Sequence, residues 1–315
     1  MALLNKYLLA TLLITTGGLV YIISKKYSQK ENINSWMSKL PDTKKIVLIN
    51  IPGTHDSTAF NTLMTINKYA QTQSLNITEQ LNIGVRKFDI RAVLNVDKDE
   101  LICCHGPAYC YYRDAKMITR FLLFKIIISE MKKFLEENPT ETVYLSFKSC
   151  FGDTSENLKA ASELFEKMIP ETMKVKYNKA LTLGQTRGKF IYDFYKTDDE
   201  SGLDEIHRKY GDYEAYKVDG NQKVKELKEL FEKCDQTSIE NAEADFNKNQ
   251  NKYPLSYSIS CTGQKKNMIP QPKKMSEIVN SFVLNYNMKK GYYYGWINID
   301  FVEKIIVEKI INTNF

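Results

Sequence analysis

The sequence predicts an α/β protein, a single distorted (β/α) TIM-type barrel preceded by an N-terminal transmembrane helix. Three observations carry that prediction. Short β-branched runs alternate with longer helical patterns, as in a parallel sheet joined by crossover helices. Seven such runs occur, Ile46–Ile51, Val85–Val93, Leu101–Cys104, Thr142–Lys148, Lys189–Tyr195, Leu255–Ser260 and Tyr292–Ile299, a number that suits closure. The residues with acid–base chemistry stand at or near the ends of those runs, where barrel enzymes keep their sites.

In chain order, the first element is Tyr7–Ile23, seventeen residues without a charge between Lys6 and Lys25-Lys26. As a helix it would reach about 25 Å, just under the roughly 30 Å hydrocarbon core. The expectation is a single-pass membrane anchor over residues 1–26, with a cleaved signal peptide as the alternative. No Ala-x-Ala site is visible and Gly17-Gly18 falls inside the run. Lys25, Lys26 and Lys30 outweigh Lys6 and favour a cytoplasmic C-terminal side. The sequon Asn76-Ile-Thr78 points the other way, so orientation stays open.

A polar linker, 27–35, leads into a catalytic barrel over 36–315. Ile46–Ile51 reads as a buried parallel strand stopped by Pro52 and Gly53. Ile118–Glu137 reads as a helix ending at Asn138-Pro139, followed by helical patterns at Glu156–Met168, Gln222–Cys234, Met275–Met288 and Val302–Ile311. The acidic, Tyr-rich stretch Thr197–Gly220 and the basic-polar stretch Thr262–Lys274 are expected as long loops over the active face.

With 315 residues and 43% apolar composition the chain can build one substantial domain. The net charge of +6 is spread over scattered lysine pairs, mostly solvated surface with a mild attraction to anionic membranes. Nothing resembles a nucleic-acid-binding module. Six cysteines lack metal-site spacing. Cys103 and Cys104 are adjacent, so buried or free thiols are expected rather than a disulfide framework, leaning towards a reducing compartment.

The chemistry concentrates in Ile51-Pro-Gly-Thr-His-Asp-Ser57, in Phe88-Asp-Ile-Arg91 and in Leu101-Ile-Cys-Cys-His-Gly-Pro107. Strand alternation puts Asp89 and Arg91 on one face. His-Asp pairs also serve as metal ligands on helices, but Pro52-Gly53 disfavours a helix there. The chain has only three histidines, and His207 lies in the irregular loop. A base–acid pair of imidazoles, His55 and His105, fits better, because each titrates near neutrality. Asp56, Asp89 and Asp300 are available to orient them. Arg91 either neutralises charge growing on phosphate oxygens or forms a barrel salt bridge with Asp89. Together these groups point to phosphodiester cleavage.

Five stretches, Ile51–Ser57, Gly84-Val-Arg-Lys-Phe-Asp-Ile-Arg91, His105-Gly-Pro107, Phe134-Leu-Glu-Glu-Asn-Pro-Thr-Glu-Thr142 and Gly295-Trp-Ile-Asn-Ile-Asp300, resemble the bacterial-type phosphatidylinositol-specific phospholipases C. Trp36-Met-Ser-Lys-Leu is similar to the segment that opens their catalytic domain. The resemblance implies internal attack by the inositol 2-hydroxyl, giving diacylglycerol and inositol 1,2-cyclic phosphate. It implies His55 as general base held by Asp300, and Arg91 stabilising the phosphorane. His105 paired with Asp56 would be the general acid, with Asp89 holding the arginine. Lys148 and Tyr216 fit inositol-binding positions, and Glu214 replaces a neighbouring Asp. Arg91 and Asp56 stand where the calcium-dependent animal enzymes differ, so no metal and no cofactor are expected.

The implied partners are phosphatidylinositol lipids and the bilayer surface, met by a monomer. Departures are Ser57-Thr58-Ala59 and Ala92-Val93 where the family has other residues. In addition, Phe190–Tyr195 lacks the arginine expected at its end. Two alternatives stay open: a related barrel phosphodiesterase on another lipid head group, and a catalytically silent membrane-tethered binding module.

Overall fold

The computed structural model describes residues 15–16, 19–20, 33–62, 67–113, 116–150, 155–194, 220–248, 258–261 and 271–315. The chain divides into two compact units, Met1–Asn32 and Ile33–Phe315. In the first, β1 (Thr15–Thr16) pairs antiparallel with β2 (Leu19–Val20). The expected continuous helix over Tyr7–Ile23 is therefore corrected at these residues, which are extended. Two adjacent glycines, Gly17 and Gly18, cost a helix about 1 kcal/mol each relative to alanine, and β-branched Thr15, Thr16 and Val20 favour extended backbone. Among the described residues no helix is long and apolar enough to cross a membrane. The rest of Tyr7–Ile23 lies outside the described residues.

The second unit carries strands β3 (Ile51–Thr54), β4 (Lys87–Asn95), β5 (Glu100–His105), β6 (Ala108–Tyr109), β7 (Tyr111–Arg113), β8 (Thr119–Phe121), β9 (Thr142–Ser149), β10 (Lys174–Lys176), β11 (Lys189–Phe194), β12 (Ser258–Cys261) and β13 (Trp296–Ile299). Seven of them form a parallel wall in the order β10-β11-β9-β4-β3-β13-β12. Among the described residues no ladder closes β10 onto β12. The helices are α1 (Asn67–Ala70), α2 (Ile77–Asn82), α3 (Phe124–Glu137), α4 (Ser155–Met168), α5 (Leu183–Thr186), α6 (Gly220–Cys234), α7 (Ile239–Lys248), α8 (Pro272–Asn285) and α9 (Lys304–Asn312).

Register decides what faces where, because paired residues on neighbouring strands share a face. Lys87, Asp89 and Arg91 of β4 stand opposite Tyr144, Ser146 and Lys148 of β9, and that face lines the barrel interior. Phe88 and Ile90, with Leu145 and Phe147, take the outer face and are buried under helices. There Phe165 of α4 stacks on Phe147 at 4.4 Å and on Phe124 of α3 at 4.7 Å. Each such ring stabilises the helix-on-sheet layer by about 1.5–3 kcal/mol. The base of the wall is sealed by a turn over Ile33–Lys39, where buried Trp36 donates to Gly84 O at 3.1 Å. Nearby, buried Arg86 donates through Nε to Glu141 at 2.8 Å and through Nη1 to Leu81 O and Val85 O.

The strand predicted at Ile46–Ile51 is displaced. Ile46–Leu48 form a buried 3₁₀ turn, and β3 runs over Ile51–Thr54, through the Pro52-Gly53 pair that was expected to end it. The Pro52 carbonyl accepts from Arg86 N, so its missing N–H falls just ahead of the first β3/β4 ladder pair, Gly53 with Lys87. Gly53 is demanded by the barrel interior: a Cβ there would lie 2.6 Å from Asn298 Oδ1 and 3.1 Å from Lys87 Cβ. Those two side chains meet beside it, Lys87 Nζ donating to Asn298 Oδ1 at 2.9 Å.

Three further expectations are corrected. The helix predicted from Ile118 begins at Phe124, because Thr119–Phe121 pair with Tyr111–Arg113 instead. β5 is antiparallel to the long tail of β4, so His105 arrives on a hairpin rather than a crossover strand. Cys104 and Cys150 form a disulfide, which removes the basis for a reducing compartment, while Cys103, Cys110 and Cys234 remain buried thiols as expected. The loop expected over Thr197–Gly220 lies outside the described residues except for Gly220, which opens α6; the loop expected over Thr262–Lys274 is described only from Gln271.

Gly53→Ala should destabilise the barrel by about 1–3 kcal/mol, read from the midpoint of chemical denaturation. An unchanged midpoint would show that Asn298 and Lys87 can move aside.

Candidate active site

His55 follows β3 directly, its backbone N–H donating to Ile299 O of β13 at 3.3 Å. Asp300 follows β13 on the neighbouring strand end, and its Oδ1 meets His55 Nδ1 at 2.8 Å with both side chains almost wholly buried. This is the pairing that fixes a ring's tautomer and pose, leaving proton transfer to Nε2.

Asp89 and Arg91 stand two apart on β4, on the inner face. Asp89 Oδ2 accepts from Arg91 Nη2 at 2.8 Å, from Arg91 Nε at 3.1 Å and from the Asp56 backbone N–H at 3.1 Å. The guanidinium is thereby held flat against one carboxylate while Nη1 lies 3.5 Å from Asp56 Oδ2. His105 comes in at the end of β5. Its Nδ1 donates to Ala70 O at 2.6 Å, and its Nε2 lies 3.6 Å from Asp56 Oδ2. The two imidazoles face each other edge to plane with ring centroids 6.2 Å apart.

Asp56 occupies the centre. It is fully buried, and neither carboxylate oxygen has a hydrogen-bond partner. Its approaches to Arg91 and His105 are too long for hydrogen bonds and act through charge alone. Burial pushes its carboxyl above the ordinary range, and the opposing pull of His105 and Arg91 does not fully offset that. Its backbone is left-handed at φ 42°, and Phe301, next to Asp300, is left-handed at φ 48°. A non-glycine residue there costs roughly 1–3 kcal/mol, so surrounding bonds must hold both loops.

Those bonds come from residues the sequence did not single out. Gln73 is fully buried, and its Nε2 donates to His55 O at 2.9 Å and to Ile299 O at 2.8 Å, while its Oε1 accepts from Val302 N at 3.2 Å. One amide thus ties the two strand ends that carry His55 and Asp300. Thr72 Oγ1 donates to Asp56 O at 2.9 Å, and Asn280 Nδ2 donates to the carbonyls of Asp300 and Phe301 at 2.9 and 3.2 Å. The Cys104–Cys150 disulfide joins the residue before His105 to the strand end that follows Lys148. The nearest sequence signal for Gln73 is the polar run Gln71-Thr-Gln-Ser74, which reads equally as surface.

The structure thus brings together His55, Asp56, Asp89, Arg91, His105 and Asp300. Lys148, paired in register with Arg91, is placed on the same inner face, half-buried. Glu214, Tyr216 and His207 lie outside the described residues. Among the described residues no group of three or more His, Cys, Asp or Glu side chains is arranged to hold a metal ion.

Asp56→Asn keeps a residue that tolerates the left-handed backbone and removes the buried charge. Because the folded carboxyl is raised, the native chain loses stability as pH rises through that value and the variant does not. The variant should therefore melt higher at neutral pH, by about 1–3 kcal/mol, with the gain vanishing in acid, while turnover falls about 10²-fold or more. A variant less stable than its parent at neutral pH would show that the attraction to Arg91 and His105 outweighs burial.

Residues 49–193 match the family model described as phosphatidylinositol-specific phospholipase C, X domain. The 1-phosphatidylinositol phosphodiesterase of Listeria monocytogenes is 27% identical over 315 aligned positions, spanning 95% of this chain and 91% of the relative. The protein of the same name from Staphylococcus aureus is 29% identical over 190 positions, 58% of this chain and 55% of its own length. A variant of the S. aureus phosphatidylinositol-specific phospholipase C superposes with a TM-score of 0.67 at 22% identity, covering 90% of this chain and 98% of that one. The L. monocytogenes enzyme structure gives 0.62 at 24% identity, covering 90% and 99%. At these identities the structures establish the fold, the distorted TIM-type barrel of the bacterial enzymes. The similarity to the phosphatidylinositol-specific phospholipase C X domain spans residues 49–193, the stretch that carries His55, Asp56, Asp89, Arg91, His105 and Lys148.

Proposed function

We propose that this chain is a phosphatidylinositol-specific phospholipase C, cleaving the glycerol–phosphate ester of its lipid by internal attack of the inositol 2-hydroxyl. The observation that carries the reading is the pair of imidazoles 6.2 Å apart, each beside its own buried carboxylate, with Arg91 beside them. That spacing admits a phosphodiester between a base and an acid.

In the first step His55 takes the 2-hydroxyl proton at Nε2, and Asp300 stabilises the imidazolium through Nδ1. The 2-oxygen attacks phosphorus, and negative charge grows on the non-bridging oxygens. Arg91, preorganised by Asp89, faces that charge with donors already in place, so little reorganisation is needed during the reaction. His105, protonated and drawn towards Asp56, passes its Nε2 proton to the glycerol oxygen as that bond breaks. Diacylglycerol leaves and inositol 1,2-cyclic phosphate remains, balancing one proton taken and one given. All these groups lie on one chain, so no second subunit is required.

Lys148, placed beside Arg91 in register, is proposed to meet the inositol or its phosphate. Tyr216 and Glu214 are proposed to complete the inositol site. The arginine expected at the end of β11 is missing, and that strand places Asp193 level with Ser146 and Asp89 on the inner face. A carboxylate there favours neutral inositol hydroxyls over an added phosphate. Arg91 supplies the positive charge that a divalent cation would otherwise bring, and the reading is metal-independent.

Phosphorus NMR of phosphatidylinositol micelles with the full chain in excess EDTA should show the cyclic phosphate signal. Turnover that requires added calcium or magnesium would contradict the role given to Arg91.

A further inference from the structure

We propose that the β7–β8 hairpin is the element that docks this enzyme on an anionic lipid bilayer, with Met117 and Ile118 entering the interface. Among the described residues ten large apolar side chains are exposed, and four of them fall within residues 109–121: Tyr109 at 41%, Met117 at 67%, Ile118 at 48% and Phe121 at 44%. That concentration marks a patch rather than the scattered exposure of an ordinary surface. Residues 116–121 are exposed without interruption.

The hairpin is not part of the barrel wall. β7 and β8 pair only with each other, and a lone two-stranded ribbon is marginal in water. Phe121 meets Tyr111 within the hairpin at 5.2 Å and Tyr109 of the neighbouring β6 at 5.3 Å. Tyr112 packs against the core, whereas Met117, Ile118 and Phe121 stay exposed.

Charge selects the occupant. Arg113, Lys116 and Arg120 are exposed around the apolar tip, against a single carboxylate, Asp114, in the same stretch of sequence. Cations ringing an apolar tip fit a lipid surface that is negative outside and hydrocarbon within.

Position agrees. Ala108 pairs with His105 and Tyr109 with Cys104. The far end of the hairpin is stitched to the same strand through Leu122 N to Cys110 O and Cys103 N to Leu122 O, both 2.8 Å. The hairpin therefore leaves the barrel beside the imidazole that protonates the leaving diacylglycerol, whose acyl chains stay in the bilayer. This placement rests on the lipid-cleaving reading, while the docking itself is measured separately.

The test uses the full chain carrying Met117→Trp, with vesicles of phosphatidylglycerol and phosphatidylcholine, the latter brominated on its acyl chains. Native Trp36 and Trp296 are 2% and 1% exposed, shielded from a quencher in lipid. Emission from position 117 should shift to the blue and be quenched by the brominated chains, and both effects should fade without phosphatidylglycerol. In parallel, the double variant Met117→Asp/Ile118→Asp should cleave phosphatidylinositol in vesicles roughly tenfold or more slowly. It should turn over monomeric dihexanoyl-phosphatidylinositol like its parent.

Unquenched, water-like emission at position 117 would overturn the proposal, as would parental activity of the double variant on vesicles. A blue shift without vesicles that disappears on dilution would assign the hairpin to a second copy of the chain, and also overturn it. If the parent fails on the monomeric lipid, the catalytic reading falls, and the quenching result still decides the hairpin.

Discussion

The Asp89 carboxylate and what it holds are the constraint on which the rest of the site depends. A single oxygen accepts from two nitrogens of Arg91 and from the backbone of Asp56. The guanidinium would otherwise be a buried charge costing several kcal/mol in desolvation. Asp89 offsets that cost, fixes the plane of the fork, and positions Asp56 between Arg91 and His105. The same contact makes Asp56 the least satisfied group in the cluster, with two orphaned carboxylate oxygens. Stability is given up at that point so that one carboxylate can face an arginine and an imidazole together.

The barrel makes such a cluster possible by supplying rigid strand ends from separate parts of the chain. His55 and Asp300 come from adjacent parallel strands whose register, Thr54 with Ile299, brings the two loops level. Gln73 then clamps both loops with one amide, and Asn280 and Thr72 hold the left-handed turns at Phe301 and Asp56. Below this layer Lys87 and Asn298 fill the interior beside Gly53, and apolar packing against the helices begins on the opposite face of the same strands. The charged and apolar faces of β4 are two sides of one alternation, Lys87-Asp89-Arg91 against Phe88-Ile90. The geometry of the charged cluster and the hydrophobic core are therefore set by the same register.

Most of the cluster was legible in the sequence because its members are charged, and His55, Asp56, His105 and Asp300 stand at strand ends, where few other roles compete. Strand alternation alone placed Asp89 and Arg91 together. The supporting residues were not legible, since Gln73 and Asn280 act by hydrogen bonds to backbone groups distant in sequence, and an amide looks the same on a surface. The Cys104–Cys150 pair joins residues 46 apart in sequence, a proximity only the β4–β5 and β4–β9 ladders create. Element boundaries moved where tertiary demands overrode local preference: β3 runs through Pro52-Gly53 because the interior leaves no room for a Cβ. Ile118 joins no helix, because the strand Thr119–Phe121 beyond it pairs back onto Tyr111–Arg113.

The central claim is the division of labour between the two histidines, and leaving-group chemistry tests it most directly. Single-turnover rates would be measured for the native chain, His55→Ala and His105→Ala on phosphatidylinositol and on an inositol phosphodiester with a nitrophenol leaving group. Nitrophenolate departs without a proton, so His105→Ala should lose about 10²–10⁴-fold on the lipid and far less on the activated ester. His55→Ala should lose comparably on both, because the attacking hydroxyl must be deprotonated in either case. Equal losses on both substrates for His105→Ala would contradict its assignment as the general acid.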